Sequence, residues 1–237
     1  MQYNILDALS PEDFSVLQIY AINGLLLPNL KTLELRGIRE WFTPFIPLFL
    51  PPRINSVFLA FLSDPPVAMV ASFITILPTL CPDLRAITLR GLPKNLMVTT
   101  AVSEMLLVVN RNTLQEFDVG TLLTEEASEV FYRLPSLRGL EVVIEKGTRL
   151  PSASLPNLFN LTIKCDNEDD WSQLFHGATF GKLEHVKFCL QSGQIGDFLG
   201  TFERAALSSS LQNTLSSFQL FALCSWNPSY SSLLPFT

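Results

Sequence analysis

Charge is scarce in this 237-residue chain: charged residues make up 16% of it and hydrophobic residues 48%. A globular protein is usually about 25% charged. The composition excludes a self-repelling disordered segment and predicts a sticky surface, or one normally covered. The 16 basic residues are scattered and leave a net charge of −6. Nucleic-acid binding needs a basic patch that displaces counterions from phosphate, so nucleic acid is not expected as a partner. Long apolar runs are missing too. Trp41–Leu50 is broken by Pro44 and Pro47 and followed by Pro51 and Pro52, and Pro66–Leu80 is short of the about 20 residues a bilayer span needs. Met1–Tyr20 lacks the basic start and unbroken apolar stretch of a signal peptide. No membrane is therefore expected as a partner.

Cysteine is sparse: Cys81, Cys165, Cys189 and Cys224, with no C-x-x-C pair and no second ligand at zinc-finger spacing. They read as reduced thiols packing as small hydrophobes, which places the chain in the cytoplasm or nucleus. The Asn160-Leu161-Thr162 sequon falls inside an expected strand and reads as chance.

What is present is a repeat. The triplet L-x-x-L-x-L, with other apolar residues tolerated, recurs eight times. The copies are Leu30/Leu33/Leu35, Ile54/Val57/Leu59, Leu84/Ile87/Leu89 and Leu114/Phe117/Val119, then Leu137/Leu140/Val142, Leu158/Leu161/Ile163, Leu183/Val186/Phe188 and Leu215/Phe218/Leu220. Spacings between the first residues are 24, 30, 30, 23, 21, 25 and 32. Units of this form and spacing are the signature of a leucine-rich repeat solenoid. The second and third apolar residues of a triplet are two apart, so on a strand they share a face. Each unit exposes one core layer that only the next unit can bury, so the aliphatic residues should stack rung on rung.

The longer spacings hold helical patterns. Asp64-Pro65-Pro66 reads as an N-cap with proline at the first helical position. It leads into the stripe Val67, Val70, Ala71, Ile74 and Leu77. Val98–Asn110 and Gly196–Leu207 fit the same role, Trp171–Phe175 is a shorter candidate, and Thr124-Glu125-Glu126 opens a helix with acids near its N-terminus. The expected fold class is α/β: a curved right-handed solenoid of about eight irregular repeats, with parallel strands on the concave side and the wider helices on the convex side. Leu27-Pro28, Cys81-Pro82, Leu134-Pro135 and Leu155-Pro156 precede strands, where proline ends a helix and presets an extended chain. Trp41, Phe42, Phe45 and Phe49 lie between the first two strands and are read as core filling on the convex side rather than a partner anchor.

Two parts follow from this. Residues 1–24 form a helical lead-in, with Ser10-Pro11-Glu12-Asp13 as N-cap, first position and first-turn acid, and residues 25–237 form the solenoid. Leu233-Leu234-Pro235-Phe236-Thr237 looks like the opening of a further repeat cut short, so the solenoid is expected to be truncated at its C-terminal end, as part of a longer protein or a truncated gene product.

The lines Leu27-Pro28-Asn29-Leu30-Lys31, Cys81-Pro82-Asp83-Leu84-Arg85 and Leu134-Pro135-Ser136-Leu137-Arg138 resemble the repeat region of fungal F-box proteins with leucine-rich repeats. The likeness runs from about Leu25 to Phe221. It implies a non-catalytic receptor whose repeats hold a substrate protein for a cullin-type ubiquitin ligase. The F-box that would contact the ligase adaptor is not in this chain, so the adaptor is an expected partner only if an F-box lies upstream. A freestanding scaffold and a small-GTPase regulator are the rival readings; the latter needs an essential loop arginine, which nothing marks. The chain also lacks the cysteine-rich end caps of a secreted repeat protein.

No enzyme chemistry emerges. Catalytic residues, cofactors and metals are all expected to be absent. The two histidines are His176 and His185, and no G-x-S-x-G elbow presents a serine. His185 and Cys189 are four apart on a strand, about 13 Å, too far to share a metal. The acidic run Asp166-Asn167-Glu168-Asp169-Asp170 has Trp171 where a calcium loop needs glycine. No glycine-rich phosphate loop occurs.

Binding is expected on the concave strand positions: Glu34, Phe58, Thr88, Asp118, Glu141, Thr162, Lys187 and Gln219. Arg36, Arg90, Glu116, Lys164 and His185 stand beside them. The middle of this face, Glu116, Asp118 and Glu141, is acidic. It predicts a protein partner that offers a basic or amphipathic segment.

Overall fold

In the computed structural model the residues described are 10–19, 21, 24–62, 65–109, 112–120, 134–144, 154–165, 179–191 and 216–223. The chain alternates apolar and polar residues over short stretches, and these form strands. They are β1 (Thr32–Ile38), β2 (Ser56–Phe61), β3 (Ala86–Arg90), β4 (Glu116–Val119), β5 (Gly139–Ile144), β6 (Ser154–Leu155), β7 (Asn160–Cys165), β8 (Thr179–Phe180), β9 (His185–Gln191) and β10 (Ser217–Leu223). Eight of them make one open sheet in the order β1-β2-β3-β4-β5-β7-β9-β10, and every pairing in it is parallel. β6 and β8 form a separate parallel pair. The protein is thus α/β with an all-parallel sheet whose strands follow chain order, compatible with a solenoid-like arrangement.

Register carries the argument further. Leu33, Val57, Ile87, Phe117, Leu140, Leu161, Val186 and Phe218 stand opposite one another across consecutive strands. The first seven are buried. The residues that open the triplets, Ile54, Leu84, Leu114, Leu137, Leu158 and Leu183, are buried with them, and Leu30 packs against the same core. The rung-on-rung stacking expected from the sequence is present in these rows.

A second repeating device precedes the strands of the eight-stranded sheet. The carbonyl of Lys31 accepts from the N–H groups of both Asn55 and Ser56, and that of Asn55 from Arg85 and Ala86. The pattern continues through Arg85, Gln115, Arg138, Phe159 and Glu184, whose carbonyl accepts from Ser216 and Ser217. Each pre-strand turn is therefore tied to the next by two hydrogen bonds to one oxygen, which uses both lone pairs of a carbonyl that would otherwise be half-satisfied.

Two longer helices and a 3₁₀ segment share one buried core with the strands, and a first helix packs on that segment. α1 is Pro11–Ile19; Ser10 caps it, its hydroxyl accepting the Asp13 N–H at 3.3 Å while Asp13 Oδ2 accepts the Ser10 N–H at 2.8 Å. These bonds from Ser10 hold the Asp13 carboxyl below its ordinary range. Residues Glu40–Phe49 form a 3₁₀ segment rather than an α-helix. Pro44 and Pro47 lie inside it and lack the N–H groups an α-helix would use. Phe42 is fully buried there and meets Trp41 edge-on at 5.7 Å between ring centres, while Trp41, Phe45 and Phe49 pack against the core. The aromatic cluster is core, as the sequence suggested.

α2 (Val67–Leu80) buries Val70, Ala71, Ile74 and Leu77 and packs against α3 (Leu96–Val108). Both starts differ from the sequence expectation. The cap of α2 is Pro66, so Pro65 lies outside the helix, and Asp64 is outside the described residues. α3 begins before Val98 because the Asn95 side chain accepts the Met97 N–H at 2.9 Å, a good N-cap. Gly91, with φ of +68°, closes β3 against β2; an added Cβ would run into the Phe61 carbonyl oxygen.

The helices expected after Thr124, at Trp171–Phe175 and at Gly196–Leu207 lie outside the described residues, as do the acidic run at 166–170, His176, Cys224, Leu215 and the C-terminal Leu233–Thr237. Among the described residues no helix is long and apolar enough to cross a membrane.

Candidate functional site on the open sheet face

Strand alternation sends one row of side chains into the core and the next to the opposite, open face of the sheet. On that face Glu34, Phe58, Thr88, Asp118, Glu141, Thr162, Lys187 and Gln219 occupy one unbroken register row across all eight strands. The whole row expected from the sequence is brought together. Glu116 stands one step toward the strand starts, opposite Ala86 and Gly139, in the row that also holds His185. Arg36 and Arg90 stand one step toward the strand ends, in the row that holds Lys164 and Cys189 further along the sheet.

The centre of the face is not bare acid. Arg90 on β3 reaches diagonally: its Nη2 donates to Asp118 Oδ2 at 2.5 Å, its Nε donates to the same oxygen at 3.1 Å, and Nη2 also donates to Glu141 Oε2 at 3.3 Å. From the other side Lys164 on β7 pairs with Glu141 Oε1. Two cations and two carboxylates thus bridge four neighbouring strands. Their side chains are only 13–18% exposed. Among the described residues, Asp118 Oδ1 is buried with no hydrogen-bond partner.

Burial and electrostatics divide the pair of carboxyls. Loss of water, followed by the neighbouring Glu141 charge, pushes the Asp118 carboxyl up to about 6 against the pull of Arg90 and Lys164. Burial acts on Glu141 in the same sense, but Lys164 and Arg90 outweigh it and hold that carboxyl below its ordinary value. Burial works against the Arg90 charge, yet Asp118 and Glu141 keep the guanidinium above its ordinary value. The two facing carboxyls form a dyad in which the charge of one opposes ionisation of the other. Cys189, buried beside this cluster, has its thiol raised by burial, and so does Cys81, to about 12. Neither is an activated nucleophile.

The flank toward β1 has a different character. The Arg36 guanidinium lies 4.7 Å from the centre of the Phe58 ring and its Nε donates to Glu34 Oε1 at 2.5 Å. Both charged side chains there are about half exposed. The sequence placed Arg90 and Lys164 beside the row but did not pair them with Asp118 and Glu141. The available signal was their two-residue offset from Thr88 and Thr162, which puts each on the same face as the row. Among the described residues no group of histidine, cysteine and acidic side chains could hold a metal ion.

No family model, no curated protein and no solved structure matches this chain.

Proposed function

We propose that the chain is a leucine-rich repeat solenoid whose open, concave sheet face holds a protein partner without catalysis. The observation that carries this reading is the single register row from Glu34 to Gln219, with a braced charged centre at Asp118 and Glu141. Repeats of this kind offer a broad surface to a partner rather than a closed pocket. Because Arg90 and Lys164 already compensate the acidic centre, the reading favours an amphipathic segment over a purely basic one. Such a segment could set an apolar residue against Phe58 and a donor near the Asp118–Glu141 pair. The Leu-Pro-x-Leu and Cys-Pro-x-Leu lines support a further step: these are the substrate-holding repeats of an F-box-type ubiquitin ligase receptor.

Affinity capture with three proteins tests both steps: the wild-type chain, the double variant Asp118→Lys/Glu141→Lys, and the exposed helix variant Glu104→Lys as control. The expected result is a protein captured by the wild type and by the control and lost by the double variant, read at a temperature where circular dichroism shows all three folded, because the reversal also breaks the Arg90 and Lys164 bridges. A partner that survives reversal at both carboxyls rejects the concave-face reading. Ligase subunits among the captured proteins support the receptor step, and a reproducible partner set without them removes that step alone.

A further inference from the structure

A second polar site lies away from the open face, at the turns that precede the strands. Gln115, Pro135, Ser136, Arg138, Asn157, Phe159 and Lys182 line a pocket of about 330 Å³. That size lies within the range of small-ligand sites, about 300–1,000 Å³. The lining holds two cations and no acid, in a chain whose net charge is −6.

The walls are braced across successive turns. Ser136 Oγ donates to the Asn112 carbonyl at 2.6 Å, and Asn157 Nδ2 donates to the Pro135 carbonyl at 2.7 Å. Lys182 Nζ donates to Asn157 Oδ1 at 3.2 Å, which spends one of its three protons. The backbone of Gln115 and Arg138 belongs to the paired-carbonyl spine: the Gln115 carbonyl accepts the Arg138 N–H at 2.7 Å and the Arg138 carbonyl accepts the Phe159 N–H at 2.8 Å. No hydrogen bond or ion pair engages the Arg138 guanidinium or the Gln115 side-chain amide among the described residues. A guanidinium fork, an amide and two ammonium protons are therefore unspent around one cavity, beside the half-buried Phe159 ring.

We propose that this pocket is a binding site for a phosphate dianion, carried as a monoester or free. A guanidinium matches the oxygens of a phosphate with parallel N–H bonds, and a second cation favours a dianion over a singly charged carboxylate. Phe159 gives the carrier of the phosphate an apolar wall. The site shares no residue with the row on the open face and stands or falls without it.

Titration calorimetry with O-phospho-L-serine, inorganic phosphate and acetate tests the assignment at physiological ionic strength. O-phospho-L-serine should bind roughly tenfold or more tightly than acetate. Arg138→Ala should weaken it by a similar factor and Lys182→Ala by several-fold. Arg85→Ala removes another exposed arginine of the same spine that does not line the pocket, and Asp118→Asn alters the open face; both should leave binding unchanged. Tighter binding of O-phospho-L-serine than of inorganic phosphate identifies a phosphorylated side chain or ester as the ligand, and equal binding identifies the free anion. Arg138 and Lys182 are exposed, so thermal melting of their variants should match the wild type. The proposal is overturned if the three anions bind alike, or if Arg85→Ala weakens binding as much as Arg138→Ala.

Discussion

Arg90 and Asp118 are 28 residues apart in sequence yet lie on adjacent strands, with Nη2 of the arginine 2.5 Å from Oδ2 of the aspartate. Each side chain is less than a fifth exposed, so this is not a solvated surface pair. Charge-assisted hydrogen bonds in such surroundings contribute about 1.5–3 kcal/mol.

Removing the arginine leaves two carboxyls facing each other with only Lys164 to compensate them. Arg90→Ala should therefore cost about 1–3 kcal/mol in urea unfolding, and the double variant Arg90→Ala/Asp118→Asn should cost less than the two single effects added together. A loss below about 0.5 kcal/mol, the size seen for exposed pairs, would show that the bridge is not formed in solution.

The dyad also sets a pH dependence. Asp118 titrates near 6 in the folded protein against an ordinary 3.8, so the folded state binds more protons than the unfolded one between those values. Its contribution is complete below the unfolded value and is lost as pH rises through about 6. Glu141 is shifted downward and contributes in the opposite sense, losing stability as pH falls. Asp118→Asn removes the first contribution only. Measured by melting temperature, Asp118→Asn should compare more favourably with wild type at pH ~7 than at pH ~4.5. The same difference at both values would contradict a raised Asp118.

Neighbouring residues on one strand should respond in opposite ways. Ile87 is fully buried in the aliphatic row and Thr88 points to the open face. Ile87→Ala removes packing against Val57 and Phe117 and should cost about 2–5 kcal/mol. Thr88→Ala should change stability by less than about 0.5 kcal/mol. Similar losses from both substitutions would mean that the strand does not alternate as described.

What could be read from the sequence was local. Alternation over four to six residues placed Leu33, Val57, Ile87 and Phe117 in one buried row and Glu34, Phe58, Thr88 and Asp118 in another, because side-chain direction on a strand depends only on parity. Helix starts were less legible. Asp64-Pro65 has the chemistry of a cap, but α2 begins at Val67, after Pro66, while the Asn95 cap of α3 precedes Leu96 and Met97, which fall outside the apolar stripe and hide the true start. The aromatics of Glu40–Phe49 read as core from the sequence, but the 3₁₀ form does not, since proline spacing rather than apolar spacing decides it. The pairing of Arg90 with Glu141 spans 51 residues and depends on register across three strands, which no local pattern encodes. Nor does any local pattern encode a pocket assembled from four successive turns.

The doubled carbonyl contacts that join Lys31 to Asn55, Arg85, Gln115 and onward keep a fixed step from strand to strand, although 21 to 32 residues separate the units. Variation in length is absorbed elsewhere along each unit. Insertions or deletions behind the sheet can therefore remodel the covering layer without changing the pitch at which the open-face residues are presented.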